Sequence, residues 1–206
     1  MSEFIEGVLN CSSGPIRYTE FGKGTTVVVF RAGESTLVDD MATALAADHR
    51  VLALSVSDVD RGSTQEFANS LASALARLQI TSLSVVGISQ TVPFALAQAV
   101  YTAEAVTGLV LVSPPLASVQ EFGLSDKLAQ VKTPTLVLVG TRDRSGAREA
   151  GRLCRAQIPA CHLVLVYEAG PNIMTDRREA CLSPMREFLV QGEGFIVTHE
   201  SQLIRP

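Results

Sequence analysis

Six short apolar runs recur along this chain, and nearly every gap between them holds a segment of helical period. The runs are TTVVVF at 25–30, RVLALSV at 50–56, LSVVG at 83–87, GLVLV at 108–112, PTLVLVG at 134–140 and CHLVLVY at 161–167. Each is short and continuous rather than alternating, which is how a strand reads when both faces of its sheet are covered. Between them, 36–46 places Leu37, Met41, Ala44 and Leu45 at helical spacing. Segment 63–78 places Phe67, Leu71, Ala74, Leu75 and Leu78 on one stripe, and 90–101 and 147–157 also read as helices. Strand and helix in alternation predict the α/β class: a mostly parallel central sheet with helices on both faces. Segments 4–9 and 15–21, joined through Ser12-Ser13-Gly14, predict an antiparallel hairpin at one sheet edge. A last helix is predicted to begin at Ser183 as N-cap, with Pro184 in the first helical position and Phe188 and Leu189 docking it. The tail, 193–206, has strand-like residues at 195–198 but no predicted place. Without repeats, low-complexity tracts or linkers, 1–206 reads as a single domain.

A chain that is 47% hydrophobic and 18% charged suits a sheet buried on both faces. The net charge of −4 and scattered arginines leave no basic stripe for phosphates, so no nucleic-acid partner is expected. The opening MSEFIEGVLN lacks the basic start and apolar run of a secretory signal, and no apolar run reaches the roughly 18 residues of a membrane span. A cytoplasmic chain without a membrane partner is the expectation. Cys11, Cys154, Cys161 and Cys181 form no CxxC pair, and the adjacent Cys161 and His162 point to opposite faces of a strand. They are read as reduced structural thiols, with no metal. No glycine-rich dinucleotide or P-loop signature follows a strand, so no cofactor is expected.

Chemistry can be argued at Gly87-Ile88-Ser89-Gln90-Thr91, where a strand turns sharply into a helix. A serine at the tip of such a turn stands above the sheet with the next backbone N–H facing outward. This stretch resembles the nucleophile elbow of the α/β-hydrolases, and the chain order resembles that family along nearly its whole length. RVLALSVSDVDRG, with Asp58, Asp60 and Arg61, is similar to a strand and its structural loop. PTLVLVGTRD is similar to the strand that delivers the acid, and HLVLVYEAG to the strand that delivers the histidine. The resemblance implies Ser89 at the nucleophile position, Asp143 at the acid position, and the backbone N–H groups of Gly33 and Gln90 as oxyanion donors. From the residues alone, Asp143 reads equally as a solvated loop carboxylate between Arg142 and Arg144.

Four positions depart from the family pattern. Gly170-Pro171 stands where a Gly-His pair is expected, and proline cannot carry a proton. Thr91 replaces the second elbow glycine and brings β-branched bulk to a close approach. Arg31-Ala32-Gly33-Glu34 replaces the usual His-Gly loop, setting a positive charge near the pocket floor that could bind an anion or pair with Glu34 or Asp143. Only about 20 residues, 114–133, occupy the place of the family's cap, enough for a loop and a short helix at 125–130. The three histidines are His49, His162 and His199. The first two are expected at the N-terminal ends of strands, away from the elbow, while His199 in the tail could reach over. Together these departures favour a non-hydrolytic, small-molecule-binding or accessory protein with a degenerate triad and an unknown ligand. The alternatives are a serine ester, thioester or lactone hydrolase using Ser89 and Asp143 with an unidentified base, and a lyase, isomerase or cyclase on the same fold. An uncapped site also implies a covering partner, either a second copy or another protein.

Overall fold

The computed structural model describes residues 4–33, 36–56, 63–120, 123–195 and 202–204. One nine-stranded sheet runs through the molecule in the order β1-β2-β4-β3-β5-β6-β7-β8-β9. Strands β1 (Phe4–Cys11) and β2 (Gly14–Phe21) form the expected antiparallel edge hairpin, and β2 pairs antiparallel with β4 (His49–Ser55). All other neighbours are parallel: β3 (Thr25–Arg31), β5 (Leu83–Ile88), β6 (Val106–Val112), β7 (Thr135–Gly140), β8 (Cys161–Val166) and β9 (Gln202–Ile204). Every apolar run of the sequence is therefore a strand, because only a central strand needs side chains that avoid water on both faces.

Two apolar layers cover the sheet. On one side α2 (Thr64–Arg77), α3 (Val92–Tyr101) and α5 (Ala147–Gln157) bury Phe67, Leu71, Leu75, Phe94, Leu96 and Cys154. On the other, α1 (Thr36–Leu45) and α7 (Arg178–Gln191) bury Met41, Leu45, Leu182, Met185 and Phe188. Helix α2 shows why this works. Ser63 caps it by accepting the Glu66 N–H at 3.2 Å, worth about 1 kcal/mol. Its stripe of Phe67, Leu71, Ala74 and Leu75 is buried, while Glu66 and Arg77 stay in water. Phe67 meets Phe94 edge-on at 4.8 Å, and both lie 6.2 Å from Phe30 at the end of β3, so this layer supports the rim above it.

The last helix begins earlier than the proline signal predicts. Helix α7 starts at Arg178, with Ser183 exposed and Pro184 buried inside it. Cys181, Leu182, Met185 and Phe188 form one buried stripe. At roughly 1.5–3 kcal/mol per large apolar side chain, that burial exceeds the ~3 kcal/mol cost of an interior proline. In the tail, Phe195 is no strand residue. Its ring packs edge-on against His162 and Phe188 at 5.2 and 5.5 Å, while 196–198 fall outside the described residues. The strand β9 follows later, parallel to β8.

Segment 114–133 forms α4 (Leu116–Gln120) and the expected 3-10 turn Ser125–Gln130. Val119, Leu124, Leu128 and Val131 are fully buried in the core, so these residues pack downward and serve as a brace for the α3 side. No described helix is long and apolar enough to cross a membrane. All four cysteines are free, and burial pushes the Cys154, Cys161 and Cys181 thiols up to about 12, far from the reactive thiolate.

Candidate active site

Strand β5 ends at Ile88, and the chain then turns through a single 3-10 turn, Ser89–Thr91, into α3. Ser89 sits at φ +49°, a left-handed conformation that a residue with a Cβ adopts at a cost of about 1–3 kcal/mol. The turn is tight because α3 presses on the strand. A Cβ on Gly87 would lie 2.8 Å from Ala95 Cβ and 2.9 Å from Val92 Cα, so glycine is required there.

Thr91, expected to crowd the turn, holds it instead. It is buried, and its Oγ1 accepts the Ile88 N–H at 2.8 Å. Its own proton faces the carbonyls of Ile88 at 3.0 Å and Phe30 at 3.1 Å. One hydroxyl thus ties the end of β5 to the end of β3. Leaving these backbone groups without a partner would cost about 1–3 kcal/mol, so the clamp is of the same order as the strain it holds. Sequence reasoning saw the bulk at Thr91 and missed the hydroxyl.

Ser89 opens onto a cavity of about 250 Å³ at the C-terminal ends of β3 and β5. Apolar walls come from Phe30, Val38, Ile88, Val112, Ile173 and Met174, and polar groups from Arg31, Gln90 and Asn172. Pro171, where the resemblance implies a histidine, lines the same cavity as Ser89. Ala32 also lines it, whereas Gly33, at φ +72°, is exposed and just outside the lining. None of the described residues of 114–133 reaches the cavity.

Glu34 lies outside the described residues, and Arg31 does not pair with Asp143. Its Nε donates to Ser55 Oγ at 2.9 Å and its Nη1 to Asp39 Oδ1 at 2.9 Å. The reason is topological: β4 runs beside β3, and Asp39 stands in the first turn of α1, directly after the loop.

Asp143 is no solvated loop carboxylate, being only 2% exposed. Oδ1 accepts the N–H of Ser145 at 2.8 Å and its hydroxyl at 2.6 Å, and Oδ2 is buried with no hydrogen-bond partner. Arg142 turns away to Glu168 at 2.7 Å. The loop carrying Asp143 is pressed against the one carrying Pro171. Arg142 N–H bonds Ala169 O at 2.8 Å, and a Cβ on Gly140 would collide with the carbonyl oxygens of Ala169 and Gly170. Asp143 itself does not line the Ser89 cavity; it borders a separate one with Thr141, Arg142, Arg144 and Arg148. The loops of Asp143 and Pro171 are adjacent, but among the described residues no side chain bridges Asp143 Oδ2 to Ser89.

His49 and His162 lie at the opposite end of the sheet, as expected for the first residues of strands. His49 is buried, its Nδ1 2.8 Å from Thr25 Oγ1, and His162 packs on Phe195. Burial lowers the pKa of both imidazoles; for His49 the nearby Asp48 opposes that, and for His162 Arg155 adds to it. His199 and the loop holding Asp58, Asp60 and Arg61 fall outside the described residues. Among the described residues, no three His, Cys, Asp or Glu side chains converge to hold a metal ion.

No family model matches this sequence, and no curated protein matches it. Its fold is similar to many solved structures. A predicted CIB-like hydrolase from Thermoplasma acidophilum superposes with a TM-score of 0.77 at 15% identity, over 92% of this chain and 99% of that one. The carboxylesterase CesB from Bacillus subtilis gives 0.77 at 13% identity, over 92% of each chain. An esterase from Exiguobacterium antarcticum gives 0.76 at 14% identity, over 90% of this chain and 100% of that one. At such identities the likeness concerns the fold alone.

Proposed function

We propose that this chain, which has the α/β-hydrolase fold, is a hydrolase of small carboxylic esters or thioesters with Ser89 as its nucleophile. The observation that carries this is the strained backbone of Ser89 at the mouth of a cavity, held by the Thr91 clamp. A serine that merely capped α3 would take an extended conformation at no cost, as Ser63 does at φ −139° before α2. The solved structures named above are hydrolases and esterases by description, which agrees with this reading.

In this mechanism Ser89 Oγ attacks the acyl carbon, and backbone N–H groups at Gln90 and in the 31–33 loop stabilise the oxyanion. With Pro171 at the base position, the serine proton passes to water at the cavity mouth. The leaving group then departs without a proton from the protein. Aryl esters and thioesters, whose leaving groups are stable as anions, are the preferred substrates, and turnover is slow because a positioned base normally contributes about 10²–10⁴-fold.

The test is labelling with a fluorophosphonate together with p-nitrophenyl butyrate hydrolysis. Both are expected in the native chain and absent in Ser89→Ala. Equal labelling of the two proteins, or none in either, overturns the reading.

One observation favours a second reading. Asp143 Oδ2 is buried with nothing to hold, and Pro171 stands beside the serine. A ligand-binding protein without turnover would show this pattern. It requires an inert Ser89 and a cavity that still binds small molecules.

A further inference from the structure

Among the described residues lining the Ser89 cavity, Arg31 is the one side chain that carries a charge. A guanidinium has five N–H groups. Among the described residues, the Nε of Arg31 is engaged by Ser55 and one N–H on Nη1 by Asp39, and Nη2 has no partner. The two bonds fix the plane of the fork from its inner edge. Arg31 exposes only 15% of its side chain, whereas Asp39 exposes 44%. Asp39 touches a single nitrogen and is half-exposed to water, which weakens the ion pair by screening. Among the described residues Asp39 is the one carboxylate that answers this charge, and the two bonds hold the guanidinium in place.

From this we infer that the cavity takes carboxylate-bearing molecules, with the free edge of Arg31 binding an anionic group separate from the scissile carbonyl. Beside the polar Gln90 and Asn172, the wall is chiefly apolar, with Phe30, Val38, Ile173 and Met174, and it suits a short hydrocarbon or aromatic body. The substrate class is then the half-ester of a dicarboxylic acid, or a comparable ester with a carboxylate at its far end. Arginine suits this role because its planar fork matches a carboxylate with two parallel hydrogen bonds. Strand β3 is hydrogen-bonded to β5, so the strand that carries the guanidinium lies beside the one that carries the elbow. The Thr91 bond to Phe30 O, one residue before Arg31, locks the two strand ends together.

This inference deepens the hydrolase reading, but its test is separable from it. Binding of hexanoate and of hexanamide is measured by titration calorimetry at low salt, in the native chain and in Ser89→Ala. Hexanoate is expected to bind at least 10-fold more tightly than its neutral isostere in both, since no turnover is involved. In Arg31→Gln the preference is expected to fall below 2-fold. Asp39→Asn removes the competing carboxylate while Ser55 still holds the fork, so hexanoate affinity is expected to rise severalfold. A merely structural Arg31 would give no such gain. Equal binding of the two probes by the native chain, a preference that survives Arg31→Gln, or no gain in Asp39→Asn overturns the inference. Fluorophosphonate labelling of the native chain against Ser89→Ala reports Ser89 independently: labelling together with a hexanoate preference that Arg31→Gln abolishes supports both readings, and labelling with no preference in the native chain rejects the anion subsite alone.

Discussion

The two ends of this sheet handle their backbone differently. Four described residues other than glycine have positive φ, and three of them follow strand C-termini: Ser89 after β5, Ser113 after β6 and Glu168 after β8. The fourth, Gln79, precedes β5. At the N-terminal rim, buried His49 meets Thr25 through Nδ1, while its Nε2 has no partner among the described residues. Strain of about 1–3 kcal/mol per residue persists only where the surroundings impose it. Its concentration on one rim agrees with the proposed site there, since open α/β sheets gather their sites at that end. Ser113 adds to the contrast. It is buried, its hydroxyl lacks a partner, and because Ile88 pairs with Val112 it directly follows the residue beside the elbow.

If the C-terminal rim is an assembled site lacking a base, restoring the base should have the largest effect. Pro171→His places an imidazole on the loop already bound to the Asp143 loop, where Asp143 Oδ2 can accept its N–H. We expect kcat/KM for p-nitrophenyl butyrate to rise about 10²–10⁴-fold, with the gain lost in the Pro171→His, Asp143→Asn double variant. An unchanged rate would mean that the acid loop is set too far from the serine, and the contrast between the rims would reduce to one of strain.

Next in size is the clamp. Thr91→Val keeps shape but leaves the Ile88 N–H and the Phe30 carbonyl without their buried partner. Thermal or urea unfolding is expected to show a loss of about 1–3 kcal/mol, and fluorophosphonate labelling of Ser89 should slow as the turn relaxes. Full stability with unaltered labelling would show that α3 packing alone holds the elbow.

The smallest effect belongs to the other rim. Burial lowers the His49 pKa below its ordinary 6.5, so the unfolded chain binds the proton more readily than the folded one. The stability contributed by neutral His49 is complete above about pH 6.5 and declines as pH falls below it. Measured between pH 7.5 and 5, unfolding free energy should fall with acidity, and His49→Gln should flatten part of that slope while leaving ester turnover unchanged. An identical slope in the variant would assign the effect to other groups, His162 among them.

Much of this architecture was legible from pattern alone. Apolar runs without alternation marked the parallel strands, and the stripe from Phe67 to Leu75 marked α2, since periodicity reports directly which faces meet water. The elbow was legible because Gly87 and Ser89 sit at fixed spacing between a strand and a helix. The start of α7 was not: proline is a local signal, and burial of Cys181 and Leu182 is a tertiary one that outweighed it.

What the chain order determined by itself was the fold and the place of Ser89 in the turn after β5, both of which depend on residue identity and spacing. The tertiary structure decided which partners each polar group finds. Arg31 met Asp39 and Ser55 rather than Asp143, Thr91 became a clamp, and Asp143 was buried with an unused oxygen. Hydrogen bonds and ion pairs act over a few ångströms between residues distant in sequence, so only the packed strands and helices could settle them.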